Sequence, residues 1–228
     1  MDPFLSALSG LAWTIVYIDA IRIGFRQRTY AIPLAALGLN FAWETTYTVH
    51  DLTGEVSPQG WINLVWALAD LAIVYTFFAF GRAEYPRWVP RSLFAAFGTL
   101  VFAASYAVQW LFIAEYGVHE AARYSAFLQN LLMSGLFIAM LVARRGLRGQ
   151  TLTIAVAKWL GTLAPTILIG VLDHSSFVLG IGLLCSVFDL VYIGLVVWLK
   201  RHPDAGAAAD APTPAPGVRL PAQRVVGD

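Results

Sequence analysis

The 228-residue chain has few charged residues and a single cysteine. Charged side chains make up 13% and hydrophobic ones 58%, whereas a soluble domain is roughly a quarter charged and half apolar. The apolar residues lie in long runs, which are typical of a membrane protein. A net charge of +1 predicts no broad attraction to nucleic acid or anionic lipid. Cys185 has no second cysteine to bond with, so we expect it to pack as a small apolar residue.

Motifs for binding metals, phosphates and retinal are also missing from the sequence. No DDxxD or DxDD cluster appears, which excludes the Mg²⁺–diphosphate site of soluble terpene synthases, and no glycine-rich phosphate loop is present. The histidines show no ligand spacing, so we expect no metal and no cofactor. They are His50, His119, His174 and His202. The last apolar segment contains no lysine, which argues against a retinal Schiff base.

Seven apolar segments are each long enough to cross about 30 Å of hydrocarbon at 1.5 Å per residue. They span 4–25, 30–50, 60–81, 91–115, 120–143, 151–173 and 176–199. We therefore predict an all-α membrane protein with seven transmembrane helices in residues 1–201 and a kink at Pro165. Residues 202–228 are rich in Ala, Pro and Gly, which predicts a disordered cytoplasmic tail.

Basic residues lie in alternate loops between these segments. Because cytoplasmic loops carry the excess of Lys and Arg, the pattern predicts an external N-terminus and a cytoplasmic C-terminus. The residues are Arg26, Arg28, Arg82, Arg87, Arg91, Arg144, Arg145, Arg148, Lys200 and Arg201. Frequent Ala, Arg and Gly suggest a GC-rich bacterial source, and so an integral protein of a bacterial cell membrane.

Acidic residues inside the apolar segments are costly and are therefore candidates for function. Glu44 lies about seven residues, or roughly 10 Å, from the outer end of its segment. Asp70 and Asp189 lie at similar or greater depth in other segments. Low dielectric disfavours the charged form of a carboxyl group, so such a residue can hold a proton beside an apolar substrate. The alternative is a set of structural acids whose hydrogen bonds tie helices together.

Two other charged residues have simpler interpretations. Asp19 lies near the cytoplasmic end of the first segment with Arg22 at i+3, which favours a structural ion pair. Lys158 is close enough to the same membrane face to extend its ammonium group there, or else to pair with Asp19.

Polar and aromatic side chains recur at the depth of these acids and are candidates for binding a substrate. Ring faces stabilise cations, as a carbocation reaction requires, although any one such set also suits helix–helix packing. The candidates are Asn40, Trp43, Tyr47, Asn63, Trp66, Asp70, Tyr106, Gln109, Trp110, Asn130 and Tyr192.

The stretch Asn40-x-x-Trp43-Glu44-x-x-Tyr47, together with Asp189 in the last helix, resembles a known family. These are the small seven-helix transmembrane terpene cyclases of meroterpenoid and prenyl-indole pathways in fungi and actinobacteria. The similarity covers roughly residues 1–200. The corresponding Glu and Asp are essential acids there. The resemblance implies that Glu44, aided by Asp189 through a direct or water-mediated hydrogen bond, is catalytic.

The resemblance further implies the reaction. Protonation of the terminal alkene or epoxide of a prenylated aromatic or indole would start carbocation cyclisation in secondary metabolism. This is a class II-like isomerase or lyase reaction with no diphosphate ionisation. The expected partners are a lipophilic prenylated small molecule and the lipid bilayer, with no nucleic acid and no obligate protein partner.

Two other functions suit the same residues. A small proton-coupled transporter or channel would use the acids as a proton relay, and an Asp-Leu pair shared by the third and seventh segments hints at a three-plus-one-plus-three repeat. A scaffolding membrane subunit would use them to retain a partner.

Overall fold

A computed structural model describes residues 2–54 and 58–205, and this part of the chain is helical with no strand. The helices are α1 Pro3–Gln27, α2 Leu34–Thr53, α3 Pro58–Phe80, α4 Arg91–Arg144, α5 Leu152–Pro165 and α6 Ser176–Arg201. These bounds agree with the predicted segments to within a few residues, except at α4 and at the end of α5. Most of the predicted tail, 202–228, lies outside the described residues.

Local sequence accounts for several helix ends. The Asp2 carboxylate accepts hydrogen bonds from the first backbone N–H groups of α1, where Pro3 stands in the first turn. The hydroxyls of Thr151 and Ser175 cap α5 and α6 in the same way. Arg28 ends α1 with a left-handed backbone at φ 52°.

Helix α4 is 54 residues long and replaces two of the predicted segments. Gly117, in its middle, has φ 71° and ψ 164°, which is a conformation that a residue with a side chain rarely adopts. The helix is therefore kinked at Gly117, and its two halves correspond to predicted segments 91–115 and 120–143.

Pro165 changes the helix type instead of only bending the helix. The chain continues beyond α5 as a π-helix, Thr166–Leu172, and the Thr166 hydroxyl donates to the Thr162 carbonyl at 2.7 Å. Proline lacks the N–H that would continue the α-helical pattern, so a change at this position follows from its chemistry.

The outer surface of the bundle is apolar. Five described helical stretches are long and apolar enough to cross a membrane: α1, Gly60–Glu84, α4, Leu152–Leu172 and α6. Large apolar side chains such as Ile18, Leu68 and Leu100 face outward. Helix α2 is not among the five; it carries polar residues from Asn40 onward.

The helices pack in a closed ring. The order of neighbours is α1, α3, α2, α4, α6, α5 and back to α1. Such a ring allows side chains from several helices to face one interior space, which is how cavities form in helical bundles.

The loops with excess basic residues meet at one end of the bundle. The Arg148 guanidinium contacts Glu84 at 2.7 Å and donates to the carbonyl of Arg28 at 3.3 Å. Arg144 donates to the carbonyl of Tyr30 at 3.0 Å. At the same end of α1, the predicted Asp19–Arg22 ion pair is confirmed at 2.5 Å.

Helix α6 approaches the π-helix closely at Gly182. A Cβ atom there would lie 2.1 Å from Thr166 Oγ1, whereas at Gly180 it would meet nothing within 4 Å. We predict that Gly182→Ala lowers the free energy of unfolding by about 1–3 kcal/mol, because the crowded helices must separate. Thermal unfolding in detergent, followed by tryptophan fluorescence, measures this. Gly180→Ala is the matched control, and equal losses in the two variants would contradict the prediction.

Candidate functional site

A cavity of about 920 Å³ lies within the ring of helices. Its lining includes Tyr17 from α1, Glu44 from α2, Trp66 from α3, Phe127 from α4 and Ile169 from the π-helix. It extends to Asp51, at the end of α2 remote from the basic loops. A volume of this size, with mostly apolar walls and a few polar groups, is typical of a small-molecule site.

Glu44 is the buried acid of this cavity, with 3% of its surface exposed. The Tyr17 hydroxyl donates to Glu44 Oε1 at 3.0 Å. The other carboxyl oxygen, Oε2, is buried and has no hydrogen-bond partner in the described part of the chain. One oxygen is therefore held by the protein, and the other makes no hydrogen bond to the described part of the chain.

Asn40 connects Glu44 to a second acid. Its Nδ2 donates to the Tyr17 hydroxyl at 2.6 Å and to Asp70 Oδ2 at 2.8 Å. Asp70 is completely buried and stands behind Asn40, outside the cavity lining. Four side chains from α1, α2 and α3 thus form one continuous chain of hydrogen bonds.

Tyr17 is the residue of this hydrogen-bond network that was not predicted from the sequence. It lies in the middle of an apolar segment, and a tyrosine hydroxyl at such a depth must find a partner inside the protein. That requirement was the available signal, but it does not say which partner the hydroxyl finds.

Fixed aromatic rings form part of the wall. The indole N–H of Trp43 donates to the Ala122 carbonyl at 3.0 Å, and that of Trp66 donates to the Thr14 hydroxyl at 3.2 Å. The rings of Tyr17 and Trp66 stack with centroids 6.0 Å apart. These contacts hold the ring faces in place before any ligand binds.

The structure brings seven of the predicted site residues to the cavity wall. They are Asn40, Trp43, Glu44, Tyr47, Asn63, Trp66 and Asn130. The other six do not line this cavity: Asp70, Tyr106, Gln109, Trp110, Asp189 and Tyr192.

The residues outside the lining face in other directions. Trp110 is 67% exposed on the outside of the bundle. The Tyr106 hydroxyl bonds Thr45 at 2.7 Å, and the Tyr192 hydroxyl donates to Gln150 at 2.8 Å. Their depth along each helix was readable from the sequence, but the face that each helix turns inward is decided by packing.

Asp189 forms a buried ion pair with Lys158. Lys158 Nζ contacts the two carboxylate oxygens of Asp189 at 2.8 and 3.0 Å and donates to the Ser134 hydroxyl at 2.7 Å. The interpretation of Lys158 as reaching the membrane surface or pairing with Asp19 is therefore wrong. Glu44 and Asp189 have different partners, with no direct hydrogen bond between them among the described contacts.

The ion pair lies close to the cavity without lining it. Ser134 and Lys158 are each four residues, about one helical turn, from Asn130 and Thr162, which do line it. The pair therefore joins α5 to α6 just beyond the cavity wall.

The ion pair predicts a specific pattern of stability. Removing one partner leaves an uncompensated charge in an apolar interior, at a cost of about 3–5 kcal/mol. We expect Lys158→Met and Asp189→Leu each to lower the unfolding temperature strongly, and the double variant to recover much of the loss. Thermal unfolding of the four proteins in detergent tests this. A double variant that loses the sum of the single losses would contradict the pairing.

An apolar helical bundle with a buried acid that lines a cavity defines the class as a helical membrane protein with an internal cavity. The model of the Pyr4-like transmembrane terpene cyclases matches residues 1–172, and the chain belongs to this family. The matched part contains Tyr17, Asn40, Glu44 and Asp70, and it ends before Asp189.

Several curated relatives are similar to this chain. The Pyr4-family terpene cyclase mfmH of Annulohypoxylon moriforme is 30% identical over 68% of this chain and 64% of its own length. Terpene cyclase pyr4 of Aspergillus fumigatus is 28% identical over 85% of this chain and 84% of its own. Terpene cyclase ascF of Acremonium egyptiacum is 30% identical over 68% and 61%. The chain thus spans slightly less than two thirds of two of these relatives.

No solved structure matches the chain significantly. The family and the apolar helices make this a membrane protein. These relatives are fungal, so they give no support to a bacterial source.

Proposed function

We propose that this protein is a membrane-bound terpene cyclase in which Glu44 donates a proton to the terminal alkene or epoxide of a prenylated aromatic or indole. One observation carries the proposal. Glu44 is a buried carboxyl group that lines a large cavity and has one oxygen free of protein partners in the described part of the chain. The relatives are named as terpene cyclases, in agreement with this chemistry.

The proposed reaction is an isomerisation. The proton on Glu44 forms a new C–H bond at the terminal alkene, or it protonates an epoxide oxygen whose C–O bond then breaks. The resulting carbocation is attacked by the next alkene, and rings close in sequence. Loss of a proton, or capture at the head group followed by loss of a proton, ends the cascade and restores the proton balance. No diphosphate leaves and no electrons are gained or lost.

The cavity wall suits a cationic intermediate. The faces of Trp43, Tyr47 and Trp66 offer cation–π stabilisation, and their fixed orientation means that little reorganisation is needed. Asn63 and Asn130 supply polar groups for the head of the substrate. The apolar part of the wall limits the access of water, which would otherwise quench the cation.

We propose that Asp189 supports the action of Glu44 indirectly. Since both of its oxygens bind Lys158, we assign it to holding α5 against α6 beside the cavity, from where it aids Glu44 without a direct hydrogen bond. We therefore expect replacement of Asp189 to lower both the stability of the protein and its turnover.

The proposal includes a topology. Counting the two halves of α4 separately and α5 with the π-helix gives seven crossings, with an external N-terminus and a cytoplasmic C-terminus. The clustering of the basic loops at one end supports this orientation. The cavity then lies toward the outer face. Placement in a bacterial cell membrane has only the amino-acid composition in its favour.

Glu44→Gln tests the reaction most directly. The amide keeps the shape and polarity of the side chain but has no acidic proton, so we expect product formation to fall by about 10²–10⁴-fold. Membranes containing the protein are supplied with farnesylated and geranylgeranylated indoles and their epoxides, and products are measured by mass spectrometry.

The matched control is Glu115→Gln, since Glu115 is exposed on α4 and does not line the cavity. We expect it to retain native activity. A Glu44→Gln protein that cyclises one of these substrates at a near-native rate would contradict the mechanism.

Trp66→Leu tests the stabilisation of the cation. A cation–π contact of about 0.5–2 kcal/mol corresponds to a loss of roughly 2- to 30-fold in turnover, accompanied by more early-quenched products. Trp61→Leu on the same helix is the control, because Trp61 is 58% exposed and outside the lining. Equal effects of the two variants on product composition would argue against a role for the Trp66 ring.

A further inference from the structure

Asn40 determines which group donates and which accepts in the hydrogen bonds that lead to Glu44. Asn40 Nδ2 carries two hydrogens and no acceptor site, and it uses them on Asp70 Oδ2 and the Tyr17 hydroxyl. The Tyr17 oxygen is therefore an acceptor toward Asn40. Its single hydrogen remains for Glu44 Oε1, which lies 3.0 Å away.

This direction distinguishes the two oxygens of Glu44. Oε1 accepts from Tyr17 and so acts as the carbonyl oxygen of a protonated carboxyl group. The acidic hydrogen then belongs on Oε2, the oxygen without a protein partner in the described residues. An acid whose hydrogen pointed at Tyr17 would leave the Tyr17 hydrogen without an acceptor among the described contacts.

We infer that Tyr17 is a positioning residue that keeps the reactive proton of Glu44 on Oε2, where a bound substrate can take it. The inference rests on the proposed function, because it assigns a role within proton donation by Glu44. Asn40 sets the direction of the Tyr17 hydroxyl, and Asp70 anchors Asn40.

Tyr17 is held rigidly enough for this role. Its side chain is buried, and its ring stacks on Trp66, whose indole N–H is itself bonded to Thr14. The hydroxyl can thus keep one orientation while a substrate binds and leaves.

The same contact gains strength during the reaction. When the proton leaves Oε2, negative charge develops on Glu44, and a hydrogen bond to a charged oxygen is stronger than one to a neutral oxygen. Tyr17 therefore stabilises the transition state more than the ground state, which raises kcat with little effect on KM.

Tyr17→Phe removes the hydroxyl and keeps the ring that stacks on Trp66. We expect kcat for cyclisation of the prenylated indole to fall roughly 10- to 100-fold with KM nearly unchanged. Tyr75→Phe, which removes an exposed hydroxyl from α3 outside the cavity, should leave both constants unchanged.

Infrared spectroscopy of the membrane-embedded protein provides a readout independent of turnover. The carbonyl stretch of protonated Glu44 is the band that disappears in Glu44→Gln. In Tyr17→Phe this band should move to higher frequency, because the carbonyl oxygen has lost its donor. Site-specific 3-fluorotyrosine at position 17, a stronger donor of nearly the same size, should move it to lower frequency and serves if Tyr17→Phe fails to fold.

The outcomes separate this inference from the proposed function. A native kcat in Tyr17→Phe, an unshifted band in both Tyr17 variants, or no band that depends on Glu44 would each overturn the positioning role. If Glu44→Gln is inactive in those cases, the proposed function still stands. An active Glu44→Gln protein overturns the proposed function itself, whatever the spectra of the Tyr17 variants show.

Discussion

A carboxyl group inside an apolar helical bundle must find its hydrogen bonds within the protein, and this constraint governs the site around Glu44. The hydrogen bonds that run from Asp70 through Asn40 and Tyr17 meet it for one oxygen of Glu44 and leave the other without a partner in the described residues. Since these side chains come from α1, α2 and α3, the same hydrogen bonds also join the three helices. The site and the packing of this half of the bundle therefore depend on the same contacts.

Asp189, a buried acid on α6, is satisfied in a different way. Asp189 is paired with Lys158, so its charge is balanced and both of its oxygens are occupied. Glu44, in contrast, has one oxygen that makes no hydrogen bond to the described residues. The two environments thus separate the acids into a proposed donor at the cavity and a helix–helix contact just beyond it.

The cavity itself follows from the ring of helices. The kink at Gly117 and the change of helix type at Pro165 interrupt regular helices in the part of the chain that borders this space. Aromatic rings whose N–H groups are bonded to α1 and α4 line the wall. Such a preformed, largely apolar space suits a lipophilic substrate and the cationic chemistry proposed for it.

Helical periodicity and hydropathy were enough to predict a helical membrane protein and to place Asn40 and Tyr47 on the face of Glu44. Both properties are local: a spacing of three or four residues defines a helix face, and the length of an apolar run defines a crossing. The same local reasoning predicted an irregularity at Pro165, as a kink, and the Asp19–Arg22 pair, because each depends on residues close together in the sequence.

Only the tertiary structure decided which faces meet. It brought Tyr17 to Glu44, separated Asp189 from Glu44 by giving it to Lys158, and turned Trp110 to the outside of the bundle. The rotation of a helix about its axis and the order of helices around the ring arise from packing between distant segments. In a chain whose segments are apolar on most sides, hydropathy does not specify that rotation, so the partners of the buried acids could not be read from the sequence.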